Sequence, residues 1–341
     1  MRKTILLAVL FLAVSSARAA STLDVYFIDV EGGQATLFVS PSGESMLVDT
    51  GWSGFNGRDA DRIVAAANLA GVKQIDYLVV THYHEDHVGG VPQLAARIPI
   101  RNFVDHGPSV ETSPRAQELY QAYLETRAKG NQILAKPGDR IPIRGIEVQI
   151  LTAAGDQIAG PLEGAGPDRF GAGRPNPLCA TTRLREPDPS ENARSIGMLI
   201  TFGKFRMIDL GDLTWNKEYE LVCPMNRVGT VDVYLSTHHG LNQSGSPVIV
   251  DALHPRVAIM NNGATKGGSP EAWQTIHNSP GLMDIWQLHY ATAGGDAHNA
   301  ADAFIANRDQ QEGNWIKVSA SSSGQFTVTN SRNGNTKSYG P

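Results

Sequence analysis

Between Thr81 and Gly90 the chain reads T-H-Y-H-E-D-H-V-G-G, which places His82, His84, Asp86 and His87 within six positions. Neutral imidazoles and a carboxylate are the ligand types that Zn²⁺ and related divalent ions take. The cluster directly follows an apolar run, Ile75 to Val80, that reads as a buried strand, where packing gives no reason for four such side chains. His82 and His84 are two apart, so both can face one side of an extended turn. Asp86 and His87 then face an adjacent position. That division suits two ions about 3.5–4 Å apart, with an activated water as nucleophile. Asp86 is accordingly the candidate catalytic residue as well as a ligand. Gly89 and Gly90 allow a helix to begin close behind the site.

Other polar groups follow apolar strands in the same way. Asp209-Leu210-Gly211-Asp212 ends the run Phe205 to Leu210, and Asp212 is expected to bridge the two ions, with Asp209 a strand residue or supporting partner. Thr237-His238-His239-Gly240 ends another strand. His238, nearest the strand end, is expected to complete the second ion's shell, with His239 behind it or facing substrate. Asp49, in Leu47-Val48-Asp49-Thr50-Gly51, is placed to hydrogen-bond a ligand imidazole. The second ion would thus be held by Asp86, His87, Asp212 and His238. The first has His82 and His84 and is short of a ligand. His106, in Phe103-Val104-Asp105-His106-Gly107, either approaches that ion or is a loop residue. His298, beside Gly294-Gly295, is a candidate to reach the cleft from a flexible loop.

The elements that must position these groups are mostly strands, with helices dispersed among them. Strands are expected at Leu23 to Val30, Ala35 to Val39, Met46 to Val48, Ile75 to Val80, Ile100 to Val104, Ile141 to Leu151, Ile196 to Phe202, Phe205 to Leu210, Val231 to Thr237 and Val257 to Met260. Helices are expected at Asp59 to Ala70, Val91 to Ile98, Pro114 to Lys129, Trp273 to Ile276 and Ala300 to Ile305. This α+β pattern suits a β-sandwich flanked by helices better than a doubly wound parallel sheet. Residues 155–189, rich in Gly, Pro and Arg, read as a long loop at the cleft wall. The tail reads as a C-terminal hairpin extension over about 310–341, pairing Trp315 to Val318 with Gln325 to Thr329.

Residues 1–19 have the form of a secretory signal peptide: Arg2 and Lys3, an apolar core from Ile5 to Val14, and Ala17-Arg18-Ala19 for cleavage. The mature domain is then 20–341, secreted or periplasmic, with no later stretch apolar enough to span a membrane. Cys179 and Cys223 could form a disulfide in that compartment or stay two buried thiols. The formal charge of −5 and the lack of a Lys/Arg block argue against general nucleic-acid binding. A small-molecule or head-group substrate is expected instead.

Taken together, H82-x-H84-x-D86-H87, D49-T-G, G211-D212 and H238-H239-G240 resemble the metallo-β-lactamase superfamily, over roughly Leu23 to Asn262. The resemblance implies a four-layer αββα metallo-β-lactamase-like sandwich with two divalent metal ions at one edge, Zn first, Mn or Fe as alternatives. F27-I-D-V-E-G-G-Q-A, N192-x-x-S195 and the doubled histidine before Gly240 are most similar to the branch of DNA-uptake competence proteins and choline-phosphate esterases. That implies a phosphoester substrate. The alternatives are a lactone, an amide or a β-lactam, or a metal-bearing binding protein with a vestigial site. Two departures stand out. The G-H-[ST] turn that supplies a further His in many members is missing, and Glu31-Gly32-Gly33-Gln34 lacks the Asp of the branch's G-Q-G-D. Di-iron redox relatives usually carry a carboxylate where His84 stands, so the H-x-H pair favours hydrolysis.

Overall fold

A computed structural model describes residues 22–166, 168–310 and 313–340. The expected signal segment, 1–19, lies outside them. Among the described residues two nine-stranded sheets face each other. The first runs, edge to edge, Thr336–Tyr339, Phe326–Asn330, Ile316–Ala320, Leu23–Phe27, Thr36–Val39, Ser45–Val48, Ile75–Val79, Ile100–Asp105 and Asn131–Leu134. The second runs Ile305–Asn307, Asp284–His289, Val257–Met260, Val233–Leu235, Phe205–Asp209, Gly197–Phe202, Glu147–Ala153 and Arg140–Ile141, with Asp156–Gln157 paired to Glu147–Ala153.

Side chains on a strand alternate between faces, and here both faces are buried. Val48 and Val79 point between the sheets, where they join Phe27 and Phe38 against Met198, Met207, Val233 and Ile259. Their neighbours Leu47 and Leu78 point outward, against Ile63 and Ala67 of the helix Arg58–Leu69, Leu94 of Val91–Ala95 and Tyr123 of Pro114–Arg127. On the far side Ile208, Tyr234 and Ala258 meet Leu221, Val248, Leu253 and Ile276 from the helices Trp215–Val222, Pro247–Leu253 and Pro270–His277. Three apolar layers between four layers of structure give the expected α+β sandwich.

The tail hairpin is Ile316–Ala320 with Phe326–Asn330, and a third strand, Thr336–Tyr339, follows it. It continues the first sheet beside Leu23–Phe27, with Val25 opposite Val318, and buries Ile316, Val318, Phe326 and Val328 in the inter-sheet core. The segment Ala300 to Ile305 is not an α-helix. A short 3-10 turn, Asp302–Phe304, leads into the strand Ile305–Asn307, which pairs with Asp284–His289.

Within each sheet the site-bearing strands are parallel: Ser45–Val48, Ile75–Val79 and Ile100–Asp105 in one, Phe205–Asp209, Val233–Leu235 and Val257–Met260 in the other. Parallel neighbours bring their carboxyl ends to a common edge, the usual place for a site in such sheets. The two edges are joined there: Ile196 N donates to Thr81 O (2.9 Å) and Gln34 Nε2 to Asp209 Oδ2 (2.7 Å).

The long loop mostly avoids that edge. Backbone bonds from Leu162, Gly173 and Asn176 tie it to residues 224–227 on the outer side of the second sheet, and a Cys179–Cys223 disulfide fastens it to the end of Trp215–Val222. Only its end reaches towards the site: Arg185 stacks 3.8 Å over Trp215 and donates to Asn242 O (2.6 Å), between the loops that carry Asp212 and His239. No helix among the described residues is long and apolar enough to cross a membrane.

Candidate metal centre

The two halves expected of the His cluster are visible in how the ring nitrogens point. His82 Nε2 lies 3.1 Å from His84 Nδ1. Behind them, Thr81 Oγ1 meets His82 Nδ1 (3.1 Å) and Glu111 Oε1 meets His84 Nε2 (3.2 Å). A proton held between His84 Nε2 and Glu111 leaves Nδ1 bare and aimed at the same point as His82 Nε2, as metal-ligating imidazoles are normally oriented. Burial, with His87 beside it, holds His82 well below the ordinary imidazole value, so it is neutral.

The second half is a quartet: Asp86, His87, Asp212 and His239 offer ligand atoms that all lie within 4.8 Å of one another, every one buried. His87 Nε2 and His239 Nε2 are 3.2 Å apart, and Asp86 Oδ2 is 3.1 Å from the latter and 3.3 Å from the former. Asp212 presents Oδ2 to His87 Nε2 (3.2 Å) and Oδ1 to His239 Nε2 (3.4 Å), and its Oδ2 is also 3.9 Å from His82 Nε2. It therefore stands between the halves, as a bridging carboxylate must. Asp212 Oδ1 is buried without a hydrogen-bond partner. Converging imidazole nitrogens, two carboxylates and an orphaned oxygen form a donor set that fits divalent cations, because a buried unpaired acceptor is otherwise costly.

The adjacent histidines exchange the roles expected of them. His239 enters the quartet, whereas His238 lies beside Asp212 Oδ2 (3.2 Å) with its other nitrogen 3.4 Å from Ser244 Oγ. Both residues have left-handed backbone, φ 57° and 55°, which turns the second ring inward in place of the first. Side chains with a Cβ seldom adopt that conformation, and such strain gathers at functional sites. The surroundings enforce it. Gly268 N donates to His239 O (3.0 Å), and a Cβ on Gly267 would come within 2.2 Å of that oxygen.

Asp49 also has positive φ (60°) and makes three bonds, accepting from Thr81 N (2.8 Å), Thr81 Oγ1 (2.7 Å) and His87 Nδ1 (2.7 Å). The last directs His87 Nε2 into the quartet. Asp209 is fully buried and bonded to Gln34 and Gly211 N, and burial pushes it up to about 6. His106 does not face the cluster. Its Nε2 is bonded to buried Glu191 Oε2 (2.9 Å), which also accepts from Tyr83 N (3.3 Å), so it steadies the residue between His82 and His84 from behind. His298 packs its ring edge-on against Trp273, 5.7 Å away, and makes no contact with the cluster.

Two residues that do not stand out in the sequence, Glu111 and Lys266, touch the site. Glu111 lies in an irregular segment ahead of Pro114–Arg127, with no pattern to mark it. Lys266 puts its ammonium on Asp86 Oδ2 from the turn after Val257–Met260. A lysine bracketed by Gly263 and Gly267-Gly268 just past a strand was the available signal. Burial works against charge on Asp86 and Asp212. His87 and His239 next to both carboxylates, with Lys266 beside Asp86 and His238 beside Asp212, outweigh it and hold both well below the usual range. Burial likewise opposes protonation of His87, but Asp212, Asp86 and Asp49 prevail and raise it.

Residues 28–173 match the family model described as the metallo-beta-lactamase superfamily. The chain is 23% identical to ComE operon protein 3 of Bacillus subtilis (strain 168) over 269 residues, 75% of this chain and 30% of that protein. It is 32% identical to a hydroxyacylglutathione hydrolase of Stenotrophomonas maltophilia (strain R551-3) over 104 residues, 30% of this chain and 37% of that protein. It thus spans well under half the length of either relative. Among solved structures, the metallo-beta-lactamase fold protein YhfI from Bacillus subtilis aligns with 78% of this chain and 95% of its own at 11% identity and a TM-score of 0.46. The family match thus spans the His cluster, Asp49 and the strands that carry them, and the sandwich described above accords with a metallo-β-lactamase fold.

Proposed function

We propose that the protein is an exported two-metal hydrolase acting on a phosphoester. One observation carries the hydrolase reading: the bare nitrogens of His82 and His84 on one side, and the Asp86–His87–Asp212–His239 quartet on the other, flank a single carboxylate, Asp212. Two divalent ions held there would supply Lewis acidity and lower the pKa of a bound water towards neutrality. The chain's own part is to hold and orient. Asp49 and Glu111 fix the faces of His87 and His84. Asp212 ties the halves together, and the buried setting strengthens each electrostatic contact. No Ser or Cys nucleophile is needed. His82, His84 and Asp212 are assigned to the first ion, and the quartet, with His239 in place of His238, to the second. Zn is the first choice of metal.

The phosphoester class is supported by the likeness to the competence-protein branch and by a cation, Lys266, at the cleft. Export is supported by the signal-like residues 1–19 and by the Cys179–Cys223 disulfide, a bond that suits an oxidising compartment. The test is a substrate panel on purified mature protein with its metals quantified, covering chromogenic phosphomono- and diesters, a lactone, a thioester and a β-lactam. Chelator-sensitive phosphoester turnover is the expected result. Preference for another member of the panel replaces the substrate class, and full metal loading with no turnover at all overturns the hydrolase reading.

A further inference from the structure

Lys266 is the one lysine or arginine, among the described residues, that forms an ion pair with the site's candidate ligands. Its backbone is fixed. Gly263 N donates to Lys266 O (2.8 Å), Gly268 N to His239 O (3.0 Å), and a Cβ on Gly32 would come within 2.9 Å of both Lys266 Cβ and Lys266 O. The turn is therefore built against the loop Glu31–Gly33 and against the metal-facing histidine itself. The side chain is free by comparison, with 30% of its surface exposed. Its ammonium lies between two partners: Asp86 Oδ2 and the face of Trp52, 4.8 Å from the ring centre.

Asp86 Oδ2 is the oxygen that also belongs to the quartet, 3.1 Å from His239 Nε2. An ammonium and a divalent ion compete for that one atom, since like charges at such distances repel strongly in a low-dielectric site. Glu111 is taken up by His84, and two further acids nearby already have cations. Glu85 is paired with Arg115, and Glu31 with Arg62. With metals in place, the flexible stem can keep its ammonium beside Trp52 while leaving Asp86, and the partner it then lacks is an anion.

Resting on the phosphoester reading, we propose that Lys266 is the receptor for the substrate's negative charge, donating to a non-bridging phosphoryl oxygen while Trp52 borders the same subsite. The charge-assisted bond makes the site selective for anionic esters. Its position on a turn bonded to His239 O would keep the receptor in register with an ion held by His239.

The test uses full-length mature, metal-loaded protein and inorganic phosphate as probe, with Lys266→Met, which keeps the stem and loses the charge, and Lys266→Arg. Phosphate affinity by titration calorimetry is expected to fall about tenfold or more in the Met variant and to recover to within about threefold in the Arg variant. Metal content should stay at the wild-type stoichiometry in both. With a chromogenic phosphodiester, the Met variant should raise KM more than it lowers kcat. Wild-type phosphate affinity in Lys266→Met overturns the proposal. So does loss of a metal equivalent, which would make Lys266 a support for Asp86. If Lys266-dependent phosphate binding is found but no phosphoester is hydrolysed, the phosphoesterase reading fails and the anion receptor stands.

Discussion

Among the described residues, two groups bring carboxylates and histidines within 4.8 Å of one another: Asp86, His87, Asp212 and His239, all buried, and Asp29, Glu31 and His289, with Glu31 half-buried. By residue type either could hold a cation. They differ in what the chain supplies as counter-charge. In the second group Arg62, from the helix Arg58–Leu69, reaches Asp29 Oδ2 at 2.6 Å and Glu31 Oε1 at 3.5 Å, and His289 Nε2 meets Asp29 Oδ1 at 2.7 Å. Those bonds join the end of strand Leu23–Phe27, a covering helix and strand Asp284–His289. The group is a brace between layers. The quartet contains no guanidinium, and its imidazole nitrogens face each other. Lys266 enters only from the half-exposed side. Proximity of ligand types thus does not by itself make a metal centre. The decisive feature is whether the fold has already placed a fixed cation among the carboxylates.

The sharpest way to break this comparison is to remove the brace's cation. Arg62→Met leaves buried Asp29 and half-buried Glu31 without it, and stability should fall by about 3–5 kcal/mol in urea denaturation. Metal content should be unchanged. A gain of a third metal equivalent would show that the two groups are alike after all.

A third buried carboxylate extends the series. Glu218 has no ion-pair partner among the described residues. It accepts from Gly245 N (2.8 Å) and Ser246 N (3.0 Å), and burial pushes it from 4.5 up to about 7. Because its pKa is raised in the folded state, its stabilising contribution is fully present below about 4.5 and is lost as the pH rises through about 7. The total is on the order of 3 kcal/mol. Unfolding free energies of wild type and Glu218→Gln, which mimics the neutral acid, should be similar near pH 4, and wild type should fall below the variant as the pH rises towards 8. Parallel curves would count against the buried, protonated acid.

Smaller effects should separate the two halves of the metal centre. Asp49→Ala frees His87 Nδ1 and should cost about a hundredfold in affinity for one metal equivalent, the upper end for a residue that orients a ligand. Glu111→Ala acts on the more exposed His84 and should cost about tenfold, on the other equivalent. Competition against a chromogenic chelator measures both. Equal losses on the same equivalent would dissolve the division into halves.

The sandwich and the local part of the site were legible in the sequence because they are written in short-range pattern. Alternating apolar strands predict the layers, and His82 to His87 declare themselves within one turn of chain. Asp212 was legible from its place after a strand and a glycine. What escaped depends on long-range or backbone geometry. Spacing cannot say which of His238 and His239 faces inward, because consecutive left-handed residues decide it. His106 was open to several roles until Glu191, 85 residues later, claimed it. Glu111 and Lys266 lie outside strand and helix, where no periodicity marks a side chain. The strand Thr336–Tyr339, reading T-K-S-Y, was too polar to stand out, and it is held by Tyr339 OH bonding to Asp284 Oδ2 (2.7 Å).

In the proposed function, Asp86, His87, Asp212 and His239 form one of two metal sites in a hydrolytic centre. The most direct test is elemental analysis of the purified mature protein and of Asp86→Ala, with phosphodiester turnover measured on the same samples. Two equivalents of divalent metal per chain are expected in the wild type and one in the variant. Turnover should fall at least about a hundredfold, since a ligand should matter no less than the residues that orient it. Equal metal content in the two proteins, or turnover that survives the loss of Asp86, would contradict the account.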